Sequence, residues 1–164
     1  MAADEIECPG CRLPLPSADR RFDDLRLNAS AECWALYGEV TGFALQHTEL
    51  GRYQQLTVDT YFAQHPGAGT SDLSIEFALI GSHLAIDRAA SGAEARDLHQ
   101  RLGNDRIEWP HLEPPDDLGA LTVFDVAIAG PPEHAAQVER WASSVWGSWW
   151  PRHDVVRGWL VDHG

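Results

Sequence analysis

The chain has 164 residues, of which 44% are hydrophobic and 23% are charged, a composition that excludes a disordered chain and suits a globular domain with its own core. Its formal net charge is −13, from 25 acidic and 12 basic residues, and this excludes long-range attraction to nucleic acid or to anionic membrane surfaces. We therefore expect neither partner. Every basic residue is arginine, and without lysine there is no Schiff-base chemistry and no Walker-type phosphate loop.

The N-terminal segment MAADEIE is acidic and has no basic region followed by an apolar stretch, so we expect no signal peptide. No run of about 18 apolar residues indicates a membrane span. These features predict a cytoplasmic protein. In a reducing compartment, three cysteines with two of them in a C-x-x-C motif indicate metal or redox chemistry rather than a disulfide framework.

Residues 1–28 carry the CPGC motif and two further prolines, with a charged run from Asp19 to Arg26 and no sustained periodicity. We interpret them as an arm that packs onto residues 29–164 and is not a domain alone. The whole chain, 1–164, is then a single domain. Helical spacing begins after Ser30, and Asn28 or Ser30 can cap this helix, which has Cys33 on its apolar face.

A second helix is expected over about 54–64, because Pro66 disfavours helical geometry in the residue before it. A long third helix is expected over about 72–91, with Ser71 or Asp72 as its cap. Residues 93–102 predict a shorter exposed helix, and the proline-rich stretch 103–119 predicts a surface loop.

The segment LTVFDVAIA is ambiguous between strand and helix, and a short helix is preferred because Thr122 and Asp125 can begin one. A helix after Pro132 carries a stripe of large apolar residues, and residues 154–161 form a last short helix. The aromatic stripe indicates core packing rather than a ligand site. The stripe consists of Val138, Trp141, Ala142, Val145 and Trp149.

Together these elements predict an all-α fold, a bundle of about five or six helices with an N-terminal zinc-knuckle arm.

The motif Cys8-Pro9-Gly10-Cys11 has the features of a zinc knuckle. Two thiols lie two residues apart, proline fixes the turn, and glycine is free to take a positive φ so that backbone amides can face the sulfurs. A thioredoxin-like dithiol is disfavoured, because Pro14 and Pro16 prevent a helix from following the motif. Zinc is therefore the expected cofactor, although iron stays open.

Tetrahedral zinc needs four ligands, and there is no second C-x-x-C, so the others must come from distant positions. Cys33 lies just inside a predicted helix start, where the dipole favours a thiolate. His65 ends a helix beside Pro66 and can close the site. An inert buried cysteine and a surface histidine remain equally open interpretations of these two residues.

His83 lies on the long apolar helix, one turn before Asp87. A satisfied core histidine is the simplest interpretation, and the alternatives are a further metal ligand or a general base that Asp87 orients. For Asp59 and His153, the sequence likewise leaves open whether the residue has a structural or a functional role. The motifs of serine hydrolases, zincins, dinucleotide-binding folds and calcium loops are absent from the sequence.

Several motifs resemble a bacterial family known only as a domain of unknown function, common in actinobacteria: CPGC, SAECWALYGEV, LTVDTYFAQHPG, ALTVFDV and WASSVWGSW. The resemblance covers nearly the whole chain. It implies that four residues belong to the family pattern: Cys8, Cys11, Cys33 and His65. His83 and His153 are further candidates for this pattern. It implies no activity.

Three functions are compatible with these residues. The first is a small cytoplasmic zinc-binding protein whose metal is mainly structural, held by Cys8, Cys11, Cys33 and His65. The second is a small metalloenzyme with an open coordination position, in which His83 is a ligand, or His83 or Asp59 is the acid or base. The third is a thiol or metal sensor, or an interaction protein. The sequence names no small-molecule ligand and no protein partner.

Overall fold

The computed structural model describes residues 4–22 and 25–164. Residues 1–3 of the expected arm, and residues 23–24 within its charged run, lie outside the described residues. The arm begins with an antiparallel hairpin of strands β1 (Glu5–Glu7) and β2 (Pro14–Pro16), in which Ile6 lies opposite Leu15. With only two strands, the prolines of β2 can occupy positions that need no ladder donor. The sequence had not predicted this hairpin.

Seven α-helices follow in the described part of the chain. Short 3-10 helices at Thr48–Tyr53 and Trp150–Arg152 lead into α2 and α7. The helices are α1 (Ala31–Leu45), α2 (Gln54–Ala63), α3 (Asp72–Asp87), α4 (Gly92–Asn104), α5 (Val123–Ala127), α6 (His134–Ser148) and α7 (His153–His163).

Side-chain caps explain where several helices begin. Ser30, Ser71 and Ser91 precede α1, α3 and α4, and each side-chain oxygen accepts a hydrogen bond from a backbone amide of the first turn. Thr122 and Asp125 form a reciprocal capping box at α5, which settles the ambiguous segment as a helix. Local hydrogen bonding therefore fixes the starts of these helices.

Helices α2, α3 and α6 form the centre of the bundle, with α1 and α5 packed on one side and α4 and α7 on the other. The expected stripe of α6 is fully confirmed, because all five of its residues are buried. Its two largest members donate indole hydrogen bonds into α2, from Trp141 Nε1 to Gln64 Oε1 at 2.9 Å and from Trp149 Nε1 to the Ala63 carbonyl at 3.0 Å. These bonds fix the C-terminal end of α2 against α6.

The all-α prediction is confirmed, and both short helices expected from the sequence, α5 and α7, are present, which brings the described chain to seven helices rather than about five or six. Helix α3 ends at Asp87 rather than near Ser91, since the chain reverses through Ala89, which has a φ of 51°. Leu73 is exposed, although it follows the apolar spacing of α3. Because α3 packs against α2, α4, α6 and α7, several of its faces are buried, including Ile75 and Leu79. A single apolar stripe therefore does not predict which residues of a central helix are buried.

Candidate metal centre

The CPGC segment forms the turn of the β1–β2 hairpin. The Cys8 amide donates to the Leu13 carbonyl at 2.9 Å, and the Arg12 amide donates to the Cys8 carbonyl at 3.0 Å. Cys8 is fully buried and Cys11 is half-buried. Because both thiols lie on this tight turn and no helix follows it, the motif has the backbone setting of a metal knuckle rather than of a thioredoxin-like dithiol.

Gly10 is required for a different reason from the one expected. The positive φ in this turn, 63°, belongs to Arg12 and not to Gly10. A Cβ on Gly10 would come within 2.6 Å of His65 Cδ2 and would also collide with the Asn28 carbonyl. Gly10 therefore does not use its freedom to take a positive φ, and close packing of the turn against Asn28 and His65 selects glycine there instead.

Cys33 lies in the first turn of α1, as its spacing predicts. Its amide donates to the Ser30 cap oxygen at 3.1 Å, and its side chain is fully buried. The Tyr61 hydroxyl donates to Cys33 Sγ at 3.3 Å. The start of α1 thus delivers a third sulfur to the hairpin turn.

His65 is the second residue after α2, next to the C-cap Gln64, and is fully buried. Its Nδ1 lies 2.6 Å from the Tyr61 carbonyl, and since a carbonyl only accepts, Nδ1 carries the proton. In the neutral imidazole, Nε2 then bears the lone pair, and it lies 3.5 Å from Cys33 Sγ. This is the tautomer and orientation that a metal-ligating histidine needs.

The four side chains converge on one point. Their donor atoms all lie within 4.8 Å of one another, with Cys11 Sγ 3.8 Å and His65 Nε2 3.5 Å from Cys33 Sγ. Zinc bonds of about 2.3 Å to sulfur and about 2.0 Å to nitrogen predict tetrahedral edges of roughly 3.8 Å and 3.5 Å. The spacing of Cys8, Cys11, Cys33 and His65 therefore fits a metal ion at their centre.

The thiols perturb each other strongly. Hydrogen bonds from Cys11 and then Cys33 hold the pKa of Cys8 far below its usual value, against the effect of burial. The pKa of Cys33 is raised far above its usual value by hydrogen bonds with Cys11 and Cys8 and by burial. For Cys11, the hydrogen bond with Cys33 lowers the pKa, but the one with Cys8, together with burial, raises it to about 12. Without a metal ion, the cluster favours the thiolate form of Cys8 only. A divalent cation at its centre would favour the thiolate form of all three cysteines.

Aromatic and amide side chains surround the cluster, and sequence reasoning gave them no role. The Tyr61 ring lies between Tyr37, on which it stacks, and His65, to which it is tilted, with ring centroids 4.1 Å and 4.0 Å away. Asn28 Nδ2 donates to the Pro66 carbonyl at 2.7 Å, which ties the end of the arm to the segment that carries His65. The spacing of Tyr61 and His65, one helical turn apart, was the sequence feature that could have indicated their contact.

Gln64 completes this surrounding layer. Besides accepting from Trp141, its Nε2 donates to the carbonyls of Leu118 and Leu121 at 3.0 Å and 2.7 Å. A buried side-chain amide with three partners is rigid. It holds the end of α2, and therefore His65, in place.

A protein-family comparison covers all four donors, since the family model matches residues 6–150. The chain belongs to the family of unknown function DUF5946. This confirms the resemblance at the level of a domain of unknown function, while the bacterial distribution stays a prediction. No curated protein and no solved structure matches the chain.

The other candidate residues of this family member lie elsewhere. His83 is outside the four-residue cluster because its place on α3 directs it to Asp87 and to the Trp146 ring, with Nδ1 2.8 Å from Asp87 Oδ2. His153 stacks on Trp146 with ring centroids 3.7 Å apart. The structure brings neither histidine to the thiols.

Asp59 is buried on α2, and its Oδ1 accepts a hydrogen bond from Gln55 Nε2 at 2.9 Å. Burial raises the pKa of Asp59 well above its usual value, against the effect of the hydrogen bond from Gln55, so burial favours the protonated carboxyl group. It does not belong to the thiol cluster.

No helix in residues 4–22 and 25–164 combines the length and the apolar character that crossing a membrane requires.

Proposed function

We propose that this chain is a small cytoplasmic zinc-binding protein whose ion is mainly structural. The observation that carries the proposal is the cluster of Cys8, Cys11, Cys33 and His65, whose donor atoms lie within 4.8 Å of one another. Four protein ligands complete a tetrahedral shell and leave no position for substrate or water. Three sulfurs and one imidazole nitrogen favour zinc over magnesium or calcium.

The ligands come from three separate elements, and this gives the ion a mechanical role. Cys8 and Cys11 come from the hairpin, Cys33 from the start of α1 and His65 from the end of α2. The hairpin has two strands of three residues each, too short to be stable alone. An ion at the cluster would tie it to the bundle and add its binding free energy to folding.

Metal content tests the proposal. The protein is purified without added metal and analysed for zinc and iron beside Cys8→Ala, Cys33→Ala, His65→Ala and the matched control His83→Ala. We expect one zinc per chain in the native protein and in the control, and loss or weakening in the three cluster variants. A native protein without bound metal would refute the proposal, and iron in place of zinc would correct the identity of the ion.

The metalloenzyme alternative requires an open coordination position beside an acid or base. It is less well supported, because the cluster already offers four ligands and because His83 and Asp59 lie outside it. Loss of metal in the His83→Ala control would revive it. The sensor alternative rests on the half-buried Cys11, and it predicts that mild oxidants release the ion rapidly from the folded protein.

A further inference from the structure

A cavity of about 810 Å³ lies between α3, α4 and α7 and shares no residue with the thiol cluster. Cavities of this size accommodate small organic molecules. Its apolar lining includes Leu84, Leu98 and Leu160, one from each helix. We call it the arginine cavity, because it is also lined by Arg88, Arg101 and Arg157.

The three arginines are unusual in a chain with 25 acidic and 12 basic residues. Arg157 binds Asp87 Oδ2 at 3.5 Å and Asp154 Oδ1 at 3.2 Å. Arg88 and Arg101 form no ion pair with any residue in the described ranges, so their guanidinium groups are available to a ligand. Planar guanidinium groups are the preferred partners of carboxylate and phosphate.

The acidic side chains in the lining are already engaged. Asp87 accepts hydrogen bonds from His83 Nδ1 at 2.8 Å and from Trp146 Nε1 at 3.1 Å. Glu94 Oε2 accepts from the Ser91 amide at 2.7 Å in the capping box of α4. These carboxylates keep their negative charge but are held by their own donors, and neither forms an ion pair with Arg88 or Arg101 in the described part of the chain.

His83 adds a directed acceptor. Since the Asp87 carboxylate only accepts, Nδ1 of neutral His83 carries the proton and Nε2 bears the lone pair. Nε2 has no hydrogen-bond partner among residues 4–22 and 25–164, although His83 is 5% exposed. A nearly buried histidine held by a carboxylate in a cavity wall is a typical recognition or acid–base element.

We propose that the arginine cavity binds a small organic anion. Its carboxylate or phosphate group contacts Arg88 and Arg101, its apolar body lies on the leucines, and a hydroxyl or amine of the ligand donates to His83 Nε2. This site goes beyond the zinc cluster and does not depend on it.

Binding is measured by titration calorimetry, and by the fluorescence of Trp146 and the other tryptophans, on the full chain as purified. The probes are benzoate, phenyl phosphate and the neutral isostere benzamide. We expect saturable binding of an anionic probe but not of benzamide. Tighter binding of phenyl phosphate identifies a phosphate ester as the ligand class, and tighter binding of benzoate identifies a carboxylate. No saturable binding of either anion at millimolar concentration would overturn the proposal.

Matched variants test the residues. Arg88→Gln and Arg101→Gln should each lower the affinity for the anionic probe about tenfold to a hundredfold, as expected for a lost charge-assisted contact. Arg96→Gln removes the same charge from an exposed position of α4 outside the cavity and should leave binding unchanged. Equal weakening in Arg96→Gln would show only a general charge effect and would overturn the assignment.

His83 is tested with a second pair of probes. If Nε2 accepts from the ligand, 3-hydroxybenzoate should bind more tightly than benzoate to the native protein, and His83→Gln should abolish the difference. Thermal unfolding of the variant confirms that it is folded. A native protein that does not distinguish the two probes would refute the role of His83, and the metal content of the same sample separates this result from any failure of the zinc proposal.

Discussion

Gly10 lies against His65 so closely that a Cβ on Gly10 would be 2.6 Å from His65 Cδ2. Two segments that carry donor atoms of the cluster, far apart in sequence, thus pack against each other through their backbones as well as through those donor atoms. The glycine of the CPGC motif and the histidine of the QHPG motif form one structural unit. Their contact makes the geometry of the cluster sensitive to a single methyl group.

Gly10→Ala should destabilise the protein by about 1–3 kcal/mol and weaken metal binding, because the turn must move away from Asn28 and His65. Thermal unfolding and a competitive zinc titration measure the two effects. Gly38→Ala is the matched control: Gly38 lies within α1 with nothing near the added Cβ, so alanine should be neutral or stabilise by about 0.5–1 kcal/mol. Unchanged zinc affinity in Gly10→Ala would contradict the packing explanation.

Removal of the metal should release the hairpin before the bundle. With free zinc at 100 times its dissociation constant, the ion contributes about 2.7 kcal/mol to the free energy of unfolding. A strong chelator should therefore lower the melting temperature, and hydrogen exchange should speed up at the Cys8 amide, which bonds the Leu13 carbonyl. Amides in the middle of α3, such as that of Leu79, are the internal control and should stay protected. Equal loss of protection in both places would indicate global unfolding instead.

Asp59 and Gly81 should behave as a coupled pair. A Cβ on Gly81 would come within 2.5 Å of Asp59 Cγ, so Gly81→Ala should destabilise the protein by about 1–3 kcal/mol. Removing the carboxyl group with Asp59→Ala makes room for the added methyl group. The double variant should then be more stable than the sum of the two single changes predicts, by about 0.5–3 kcal/mol in a double-mutant cycle of urea unfolding. Additive effects would show that the two positions do not interact.

The sequence predicted those parts of the structure that depend on local patterns. Ser30 and Thr122 identified helix starts because capping is a short-range interaction. The apolar stripe of α6 identified a buried face. The hairpin was missed because strands of three residues carry too little alternation to be recognised.

The metal centre was partly predictable for a chemical reason. Thiols and imidazoles are few, so Cys33 and His65 could be proposed as partners of the CPGC motif without knowledge of the fold. His83 satisfied the same criterion, and only the packing of α3 directs it to Asp87. The convergence of Arg88 and Arg101 on one cavity depends on how α3 and α4 pack, and no spacing in the sequence predicts it.

Glu76 should make the protein less stable as the pH rises. It is fully buried, neither carboxyl oxygen has a hydrogen-bond partner in the described chain, and burial, together with the charge of Asp72 and against that of His111, raises its pKa from 4.5 to about 8. Between these values the unfolded chain releases the proton and the folded chain keeps it. Stability that is present below about pH 4.5 is therefore lost as the pH rises toward 8, by up to about 1.4 kcal/mol per unit.

Urea unfolding from pH 5 to 8 measures this slope in the native protein, in Glu76→Gln and in the exposed control Glu139→Gln. Asp59 contributes a slope of the same sign, because burial also raises its pKa, so the difference between native and variant isolates Glu76. The native protein and Glu139→Gln should lose stability in parallel as the pH rises. Glu76→Gln should show a flatter profile, and a slope equal to that of the native protein would mean that Glu76 is ionised in the folded state.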